Sequence, residues 1–233
     1  MALSSDTYQT VLIFHGLGSP ARQLEPGEAR FWLSRDRFCA ILDRIAAMGP
    51  AAPLITFDDG NASDIGIALP ELEARGLTAV FFLLAGRLDQ PGSLRREEVT
   101  ALAAAGQRIG LHGRDHRDWR QLDATGRQQE FRDARAELAD LSGQAIDWAA
   151  APFGLYDRRV AGRIATEGFG ALFTSDWGQA RQDGFLRPRN CIDAEMSEAR
   201  LTEALNGHVA LRRRPRRLIG LARKRLLPAG GAA

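Results

Sequence analysis

Cysteine is scarce in this chain, and its two cysteines lie far apart. Cys39 and Cys191 fit no metal-ligand spacing, and two free buried thiols in a reducing compartment are favoured over one disulfide. Long apolar runs are absent, so no bilayer-spanning helix is expected. The N-terminal residues lack the basic and apolar regions of a secretory signal, and we therefore expect a cytoplasmic protein.

A strong net charge is also missing, although positive charge is concentrated near the C-terminus. The net charge at pH 7 is +2, and the basic residues carry no interleaved aromatics, so no nucleic-acid partner is expected. Eight basic residues fall within positions 212–225: Arg212, Arg213, Arg214, Arg216, Arg217, Arg223, Lys224 and Arg225. Apolar residues between 218 and 226 are spaced to share a helix face, which predicts peripheral contact with the inner face of an anionic membrane. A solvated basic end fits equally well.

Seven short apolar runs predict strands, and helical patterns lie between them. The predicted strands are Val11–Phe14, Leu54–Phe57, Ala79–Leu84, Arg108–Leu111, Asp147–Ala151, Ala171–Thr174 and Phe185–Arg187. A helix is predicted behind Ser34, and a second behind a capping box of Thr125 and Gln128. Asp157 is predicted to cap a third helix. Alternating strands and helices indicate a parallel α/β fold with one core.

Polar residues follow the predicted strands directly. They are His15, Asp58, Asp59, His112 and Asp176. In a parallel barrel these positions converge on the rim at the carboxyl ends of the strands. An open doubly wound sheet would also collect them on one edge, but no glycine-rich phosphate loop supports that alternative.

Two of these segments predict a metal site. Asp58 and Asp59 end an apolar strand, where adjacent carboxylates repel each other unless a cation lies nearby. His112 and His116 lie four residues apart after another strand. Each pattern alone fits a surface turn or surface histidines, but two imidazoles and a carboxylate together are typical of a catalytic zinc-type site, with nickel or cobalt also compatible.

A weaker signal is the turn Pro152-Phe153-Gly154. Such a turn can fix a backbone N–H that points into a site and stabilises an oxyanion. Most segments of this kind are only turns. The segment Gly16–Trp32 follows His15 and predicts a rim loop, which either contacts sugar or is simply solvated.

Together these residues resemble the polysaccharide deacetylases, the NodB-like carbohydrate esterases. Thr56–Gly60 matches the Thr-Phe-Asp-Asp-Gly motif, His112 and His116 match His-x-x-x-His, and Pro152–Gly154 matches part of a third motif. Thr174–Trp177 is similar to a fourth. The resemblance covers about residues 10–190 and implies a distorted (β/α)₇ barrel of the NodB-homology type.

The chain departs from the family pattern at two places. Ala150 stands where the family has an arginine that holds the catalytic carboxylate, and Arg187 or Arg189 could supply that charge, with a slight preference for Arg189. The family's C-terminal Leu-x-His motif has its best counterpart in Ile13-x-His15, not at His208. This arrangement resembles circularly permuted members, in which the first strand supplies the acid histidine.

The resemblance implies a role for each site residue. Asp59, His112 and His116 are expected to hold a divalent metal, with Asp58 as general base and His15 as general acid. The remaining assignments are the N–H of Phe153 at the oxyanion, Asp176 orienting His15, Arg189 holding Asp58, and Trp32, Tyr156 and Trp177 contacting substrate. The catalytic domain is expected at 8–208, followed by a basic tail at 209–233.

The expected activity is metal-dependent removal of an N-acyl group, normally acetyl, from an amino sugar in a glycan or a glycan precursor. Three alternatives remain open, of which a purely structural metal site is the least favoured, because three ligands leave coordination positions open. The chain could hydrolyse another non-peptide C–N bond, as in a formamide or a cyclic amide. It could also be a degenerate carbohydrate-binding member, because Ala150 interrupts a motif.

Overall fold

Strands and helices alternate along residues 8–226, the part of the chain that this computed structural model describes. The strands are β1 (Tyr8–Phe14), β2 (Leu54–Asp59), β3 (Ala79–Leu83), β4 (Arg108–Leu111), β5 (Trp148–Ala150), β6 (Ala171–Thr174), β7 (Gln179–Arg181), β8 (Leu186–Pro188) and β9 (Asn190–Cys191). The helices are α1 (Arg35–Ala47), α2 (Leu69–Glu73), α3 (Arg96–Ala104), α4 (Ala124–Arg127), α5 (Ala134–Ser142), α6 (Arg158–Thr166), α7 (Glu198–Leu205) and α8 (Arg214–Leu226).

The parallel strands form a nearly closed barrel. Strands β1 to β6 pair in chain order, and β8 pairs with β6 while β9 pairs with β1. Because β8 and β9 are separated only by Arg189, this one extended segment closes the barrel as its seventh strand. The predicted (β/α)₇ architecture is therefore confirmed, and each of the seven predicted strands is present. The short strand β7, which pairs antiparallel to β1, was not predicted.

Side chains alternate between the inside and the outside of the barrel. On β3, Phe81 packs in the outer cluster against the helices, whereas Val80 and Phe82 belong to a separate inner cluster. On β2, Phe57 faces outward, so Asp58 faces inward because neighbouring residues of a strand point to opposite faces. This alternation aims Asp58 into the barrel mouth, whereas Asp59, with φ 82°, departs from the regular strand conformation.

Helix starts follow capping chemistry, with one correction to the sequence interpretation. The Ser34 side chain accepts a hydrogen bond from the Arg37 N–H at 3.2 Å, and Asp157 accepts one from the Val160 N–H at 2.9 Å. The predicted capping box at Thr125 is wrong, because Asp123 caps this helix through the Gly126 N–H at 2.7 Å. The helix continues from α4 through a wider turn, Gln128–Asp133, into α5.

The region predicted as a basic tail, 209–233, is helical from Leu211 onward as far as it is described. Leu211–Arg213 forms one turn and leads into α8, while positions 227–233 lie outside the described residues. Within the described part, no helix is long and apolar enough to cross a bilayer. Cys39 and Cys191 are free thiols, as predicted, but both are partly exposed rather than buried.

Candidate active site

A cavity of about 370 Å³ opens at the carboxyl ends of the barrel strands. Its lining includes six residues that the sequence singled out: His15, Asp58, Asp59, His112, His116 and Phe153. The first five carry the polar side chains. They come from the ends of β1, β2 and β4, whose parallel register brings these ends to one rim. The loop segment from Glu25 to Phe31 forms the opposite wall, so the predicted rim loop does border the site.

Three ligating atoms, one each from Asp59, His112 and His116, lie within 4.8 Å of one another. The Oδ1 atom of Asp59 is 3.6 Å from His112 Nε2 and 3.7 Å from His116 Nε2, beyond good hydrogen-bond distance. This oxygen is buried and has no hydrogen-bond partner among residues 8–226. A buried carboxylate oxygen without a donor is costly. These residues therefore fit a cation.

Local backbone strain supports the same interpretation. Asp59 has φ 82° and His116 has φ 54°, which are conformations that side-chain-bearing residues rarely adopt. Such strain persists where the surrounding structure imposes it, and it is common at functional sites.

Each histidine is oriented by a hydrogen bond from its other ring nitrogen. His112 Nδ1 lies 2.9 Å from the Ala150 carbonyl oxygen, which can only accept, so Nδ1 carries the proton and Nε2 faces Asp59 with a lone pair. Burial lowers the pKa of His112 to about 4, which keeps the ring neutral. His116 Nδ1 lies 3.2 Å from Glu25, a rim-loop carboxylate that also pairs with Arg87. Carboxylate and carbonyl partners of this kind fix metal-binding histidines.

The carboxylate of Asp58 is held by the arginine that replaces the missing family residue. Both terminal nitrogens of the fully buried Arg189 donate to Asp58, at 2.7 and 2.8 Å. Burial alone would raise the pKa of Asp58, but the Arg189 charge, assisted by His112, lowers it to about 2. Arg187, the other candidate, instead lies against the rings of Trp148 and Phe173 and donates to backbone carbonyls.

His15 lies in the cavity wall at the end of β1, as predicted. Its ring stacks on Phe31 with a centroid distance of 4.8 Å, and its buried Nδ1 has no hydrogen-bond partner among the described residues. His208 is exposed and lies after α7, where its backbone carbonyl accepts a hydrogen bond from Trp177. The structure thus brings His15, and not His208, to the carboxylates.

The predicted pairing of Asp176 with His15 is wrong. The Asp176 carboxylate accepts hydrogen bonds from Tyr156 at 2.5 Å and Thr174 at 3.1 Å, and it forms an ion pair with Lys224 at 2.7 Å. The reason is the position of α8, which brings Lys224 to this rim, where it pairs with the Asp176 carboxylate.

The three aromatic residues predicted to contact substrate do not line the cavity. Trp32 is 9% exposed and donates to Glu28, Tyr156 is 2% exposed and bonds Asp176, and Trp177 stacks under Arg200 at 3.2 Å. Phe31 and Phe153 take that position instead. Phe153 is 55% exposed, its ring lies 4.0 Å from that of His116, and its φ is 56°. The role of its backbone N–H stays a prediction.

The sequence places Glu25, Glu28 and Phe31 only within the predicted rim loop Gly16–Trp32 and gives them no individual role, and it does not indicate Arg87 at all. The position of Glu25, ten residues after His15, indicated only that it lies near the rim. No sequence pattern links Glu25 to His116. That contact arises only when the loop folds back across the barrel mouth.

A family model described as polysaccharide deacetylase matches residues 47–171, which is more than half of the chain. The chain belongs to this family. It is 25% identical over 160 residues to the Bacillus subtilis (strain 168) protein YxkH, and 27% identical over 152 residues to YheN of the same organism, both named as polysaccharide deacetylases. These matches cover 69% and 65% of this chain but only 54% and 52% of the relatives, so the chain spans about half their length.

Solved structures share the fold. The Streptococcus pyogenes deacetylase PplD, solved in complex with acetate, has a TM-score of 0.74 at 19% identity, covering 86% of this chain and 99% of that one. The polysaccharide deacetylase BA0330 of Bacillus anthracis has a TM-score of 0.75 at 16% identity, covering 85% and 69%. IcaB of Ammonifex degensii has a TM-score of 0.66 at 20% identity, covering 87% and 97%.

Proposed function

We propose that this protein is a metal-dependent hydrolase that removes an N-acetyl group from an amino sugar in a glycan or glycan precursor. The observation that carries the proposal is the division of labour between two neighbouring carboxylates. Asp59 faces His112 and His116 with an unpartnered oxygen, while Asp58 is separately fixed by Arg189. Amide hydrolysis requires both an electrophilic centre and an independent base, and this site has room for both.

Asp59, His112 and His116 would hold the divalent cation, with zinc expected from the ligand types and nickel or cobalt compatible. Three protein ligands leave coordination positions open, which is typical of catalytic rather than structural metal sites. When bound, the cation would supply Lewis acidity towards the amide carbonyl.

The chain's own residues perform the proton transfers. Asp58 accepts a proton from the attacking water, and Arg189 keeps this carboxylate ionised and correctly oriented. His15 donates a proton to the sugar nitrogen as the C–N bond breaks. Phe31 and Phe153 form apolar walls that limit water in the cavity and offer flat surfaces to a sugar ring.

An acetyl substrate is favoured over the alternatives for two reasons. The structurally similar S. pyogenes deacetylase binds acetate, and the cavity of this protein is small and walled by apolar rings. A carbohydrate-binding member without activity is disfavoured, because Arg189 restores the charge that Ala150 lacks. Hydrolysis of another C–N bond remains the second candidate. The cytoplasmic location stays a prediction.

A substrate screen tests the proposal. Purified protein would be stripped of metal, reloaded with zinc, nickel or cobalt, and incubated with N-acetyl and N-formyl amino sugars, their oligomers and cyclic amides. We expect acetate, identified by mass, from an N-acetylated glycan, and no product from the metal-free protein. Formate alone, or ring opening alone, would replace acetyl removal with the second candidate, and tight metal binding without any product would reject catalysis.

A further inference from the structure

Exposed apolar side chains are concentrated near the C-terminus of the described chain. Among residues 8–226, the large apolar side chains most exposed to solvent are Tyr8, Phe153, Leu211, Leu218 and Ile219. Leu211 is 76% exposed, Leu218 is 61% exposed and Ile219 is 58% exposed. Three of these five residues therefore lie in or just before a single short helix, α8. Exposed apolar side chains scattered at random would not be concentrated in one helix, so this cluster needs an explanation.

The inner face of α8 is fixed to the barrel by cations. Arg217 donates to the Trp177 carbonyl, and Lys224 donates to the Gly154 carbonyl at 3.1 Å and pairs with Asp176 at 2.7 Å. Arg217 and Lys224 are seven residues apart, or nearly two helical turns, so both project from the same face. The rotation of α8 about its own axis is thereby set.

The outer face is an apolar ridge with a cation on each side. With Lys224 pointing inward, an advance of about 100° per residue places Ile219 and Ala222 on the opposite side of the helix. Leu218 lies beside them, at the edge of a surface pocket that Tyr8 also lines. All three are exposed. Arg214 and Arg223, also exposed, fall about a quarter turn to either side of this ridge, and Arg214 donates to the Val209 carbonyl through its Nε atom at 3.2 Å.

We propose that this outer face of α8 docks on an anionic lipid bilayer. An apolar ridge flanked by arginines suits the interface plane, where acyl chains receive the leucine and isoleucine and anionic headgroups receive the guanidinium groups. At 13 residues, the helix is about 20 Å long, shorter than the roughly 30 Å hydrocarbon core, so it lies on the membrane and does not cross it.

The size of the ridge favours lipid over a second copy of the chain. A stable protein interface buries about 800 Å² on each partner, and three side chains of one convex helix cannot supply that area. A bilayer needs no complementary groove, because lipid adapts to a protruding ridge.

Docking would also orient the cavity. Gly154, which accepts the Lys224 hydrogen bond, lines the cavity. The membrane-facing helix is thus attached to the rim of the site, and its docking holds the cavity mouth beside the headgroups. This inference goes beyond the proposed hydrolysis and does not depend on it, because it rests on α8 alone.

Vesicle sedimentation with the full chain tests the proposal. The protein would be mixed with vesicles of phosphatidylglycerol and phosphatidylcholine, or of phosphatidylcholine alone, at low and high salt. We expect binding to the anionic vesicles that weakens at high salt, and little binding to neutral vesicles. The paired substitution Leu218→Ser and Ile219→Ser should weaken binding about tenfold or more, since binding scales with buried apolar area.

Charge is tested with a matched pair of variants. Arg214→Ser with Arg223→Ser should also weaken binding about tenfold or more, whereas Arg35→Ser with Arg95→Ser, which removes two exposed arginines elsewhere, should change it little. Circular dichroism and metal content verify that each variant folds. Equal binding by the two arginine pairs, or absence of binding to anionic vesicles, would overturn the proposal. So would a concentration-dependent dimer that the Leu218→Ser and Ile219→Ser pair abolishes, if vesicles are not bound.

Discussion

On β2, Asp58 receives two hydrogen bonds from Arg189, whereas the Oδ1 atom of its neighbour Asp59 receives none from any described residue. Both carboxylates are buried, at 3% and 4% exposure. The protein satisfies Asp58 by hydrogen bonding, and the proposed metal ion would satisfy Asp59. The comparison teaches that the two halves of this site can be separated experimentally, although only one peptide bond lies between them.

The largest difference between the two aspartates is expected when each is replaced singly by asparagine. Asp58→Asn should retain metal and lose about 10²–10⁴-fold in turnover, because the general base is gone. Asp59→Asn should lose metal, because a charged ligand is removed. Metal analysis and acetate release on both proteins decide the matter. Loss of metal from Asp58→Asn together with full retention in Asp59→Asn would reverse the assignment.

Removing the Arg189 guanidinium, which pairs with Asp58, should lower the stability of the fold. Arg189→Met leaves a buried carboxylate unpaired and should lower the free energy of unfolding by about 3–5 kcal/mol. Adding Asp58→Leu to this variant removes the uncompensated charge and should recover much of the loss. Urea unfolding of the three proteins measures both effects. Arg187→Met serves as the control, because it removes an arginine from the same segment that donates to the Gln182 carbonyl and not to Asp58. An Arg189→Met protein as stable as the unaltered one would show that Asp58 does not depend on this cation.

Acid should weaken the metal-free protein in two separate pH ranges. Burial lowers the pKa of His112 from 6.5 to about 4, so the unfolded chain binds this proton first. The contribution of neutral His112 to the free energy of unfolding is fully present above pH 6.5. It falls by about 3 kcal/mol as the pH is lowered to 4.

The pKa of Asp58 is lowered from 3.8 to about 2, so its contribution, about 2 kcal/mol, is lost between those values. Unfolding free energies measured from pH 7 to 3 on the metal-free protein and on His112→Asn test the upper range. The variant should lack that slope, and an unchanged slope would count against His112 as its source.

The smallest effect is expected for metal affinity when Glu25, the hydrogen-bond partner of His116, is changed. Glu25→Gln should lower metal affinity by about 10- to 100-fold while leaving the ligands in place, because the carboxylate orients His116. Calorimetric titration of the stripped protein with zinc measures this. Glu195→Gln, an exposed change of the same kind, should bind metal as the unaltered protein does. If both glutamine variants bind metal equally well, Glu25 has no orienting role.

Local patterns predicted the parallel α/β fold and the polar residues at its strand ends, and the resemblance to the polysaccharide deacetylases added the seven-stranded barrel. Strand periodicity, the capping residues Ser34 and Asp157, and motif order indicated which polar residues meet at the rim, because parallel strands place all their carboxyl ends together. Arg189 was preferred only slightly to Arg187 as the substitute for the family arginine missing at Ala150, because both lie at the end of the last apolar run.

What local patterns could not predict depends on contacts between distant segments. The aromatic side chains at the cavity could not be ranked from composition, so buried Trp32 and Tyr156 were preferred to exposed Phe153. Asp176 was paired with His15 because nothing in the sequence indicates that Lys224 folds back onto it across 48 positions. Similarly, Asp123 competes with Thr125 as a helix cap, and only the backbone hydrogen bond to Gly126 decides between them.

The segment that closes the barrel also carries Arg189, between β8 and β9. A chain in which this seam has not yet formed leaves Asp58 without its cation, in a barrel mouth that is still open to water. With Asp58 as the proposed general base, forming this seam would both close the barrel and hold the base in place. A molecule whose seam is still open would then lack turnover even when the proposed metal ligands, all on earlier strands, are already assembled.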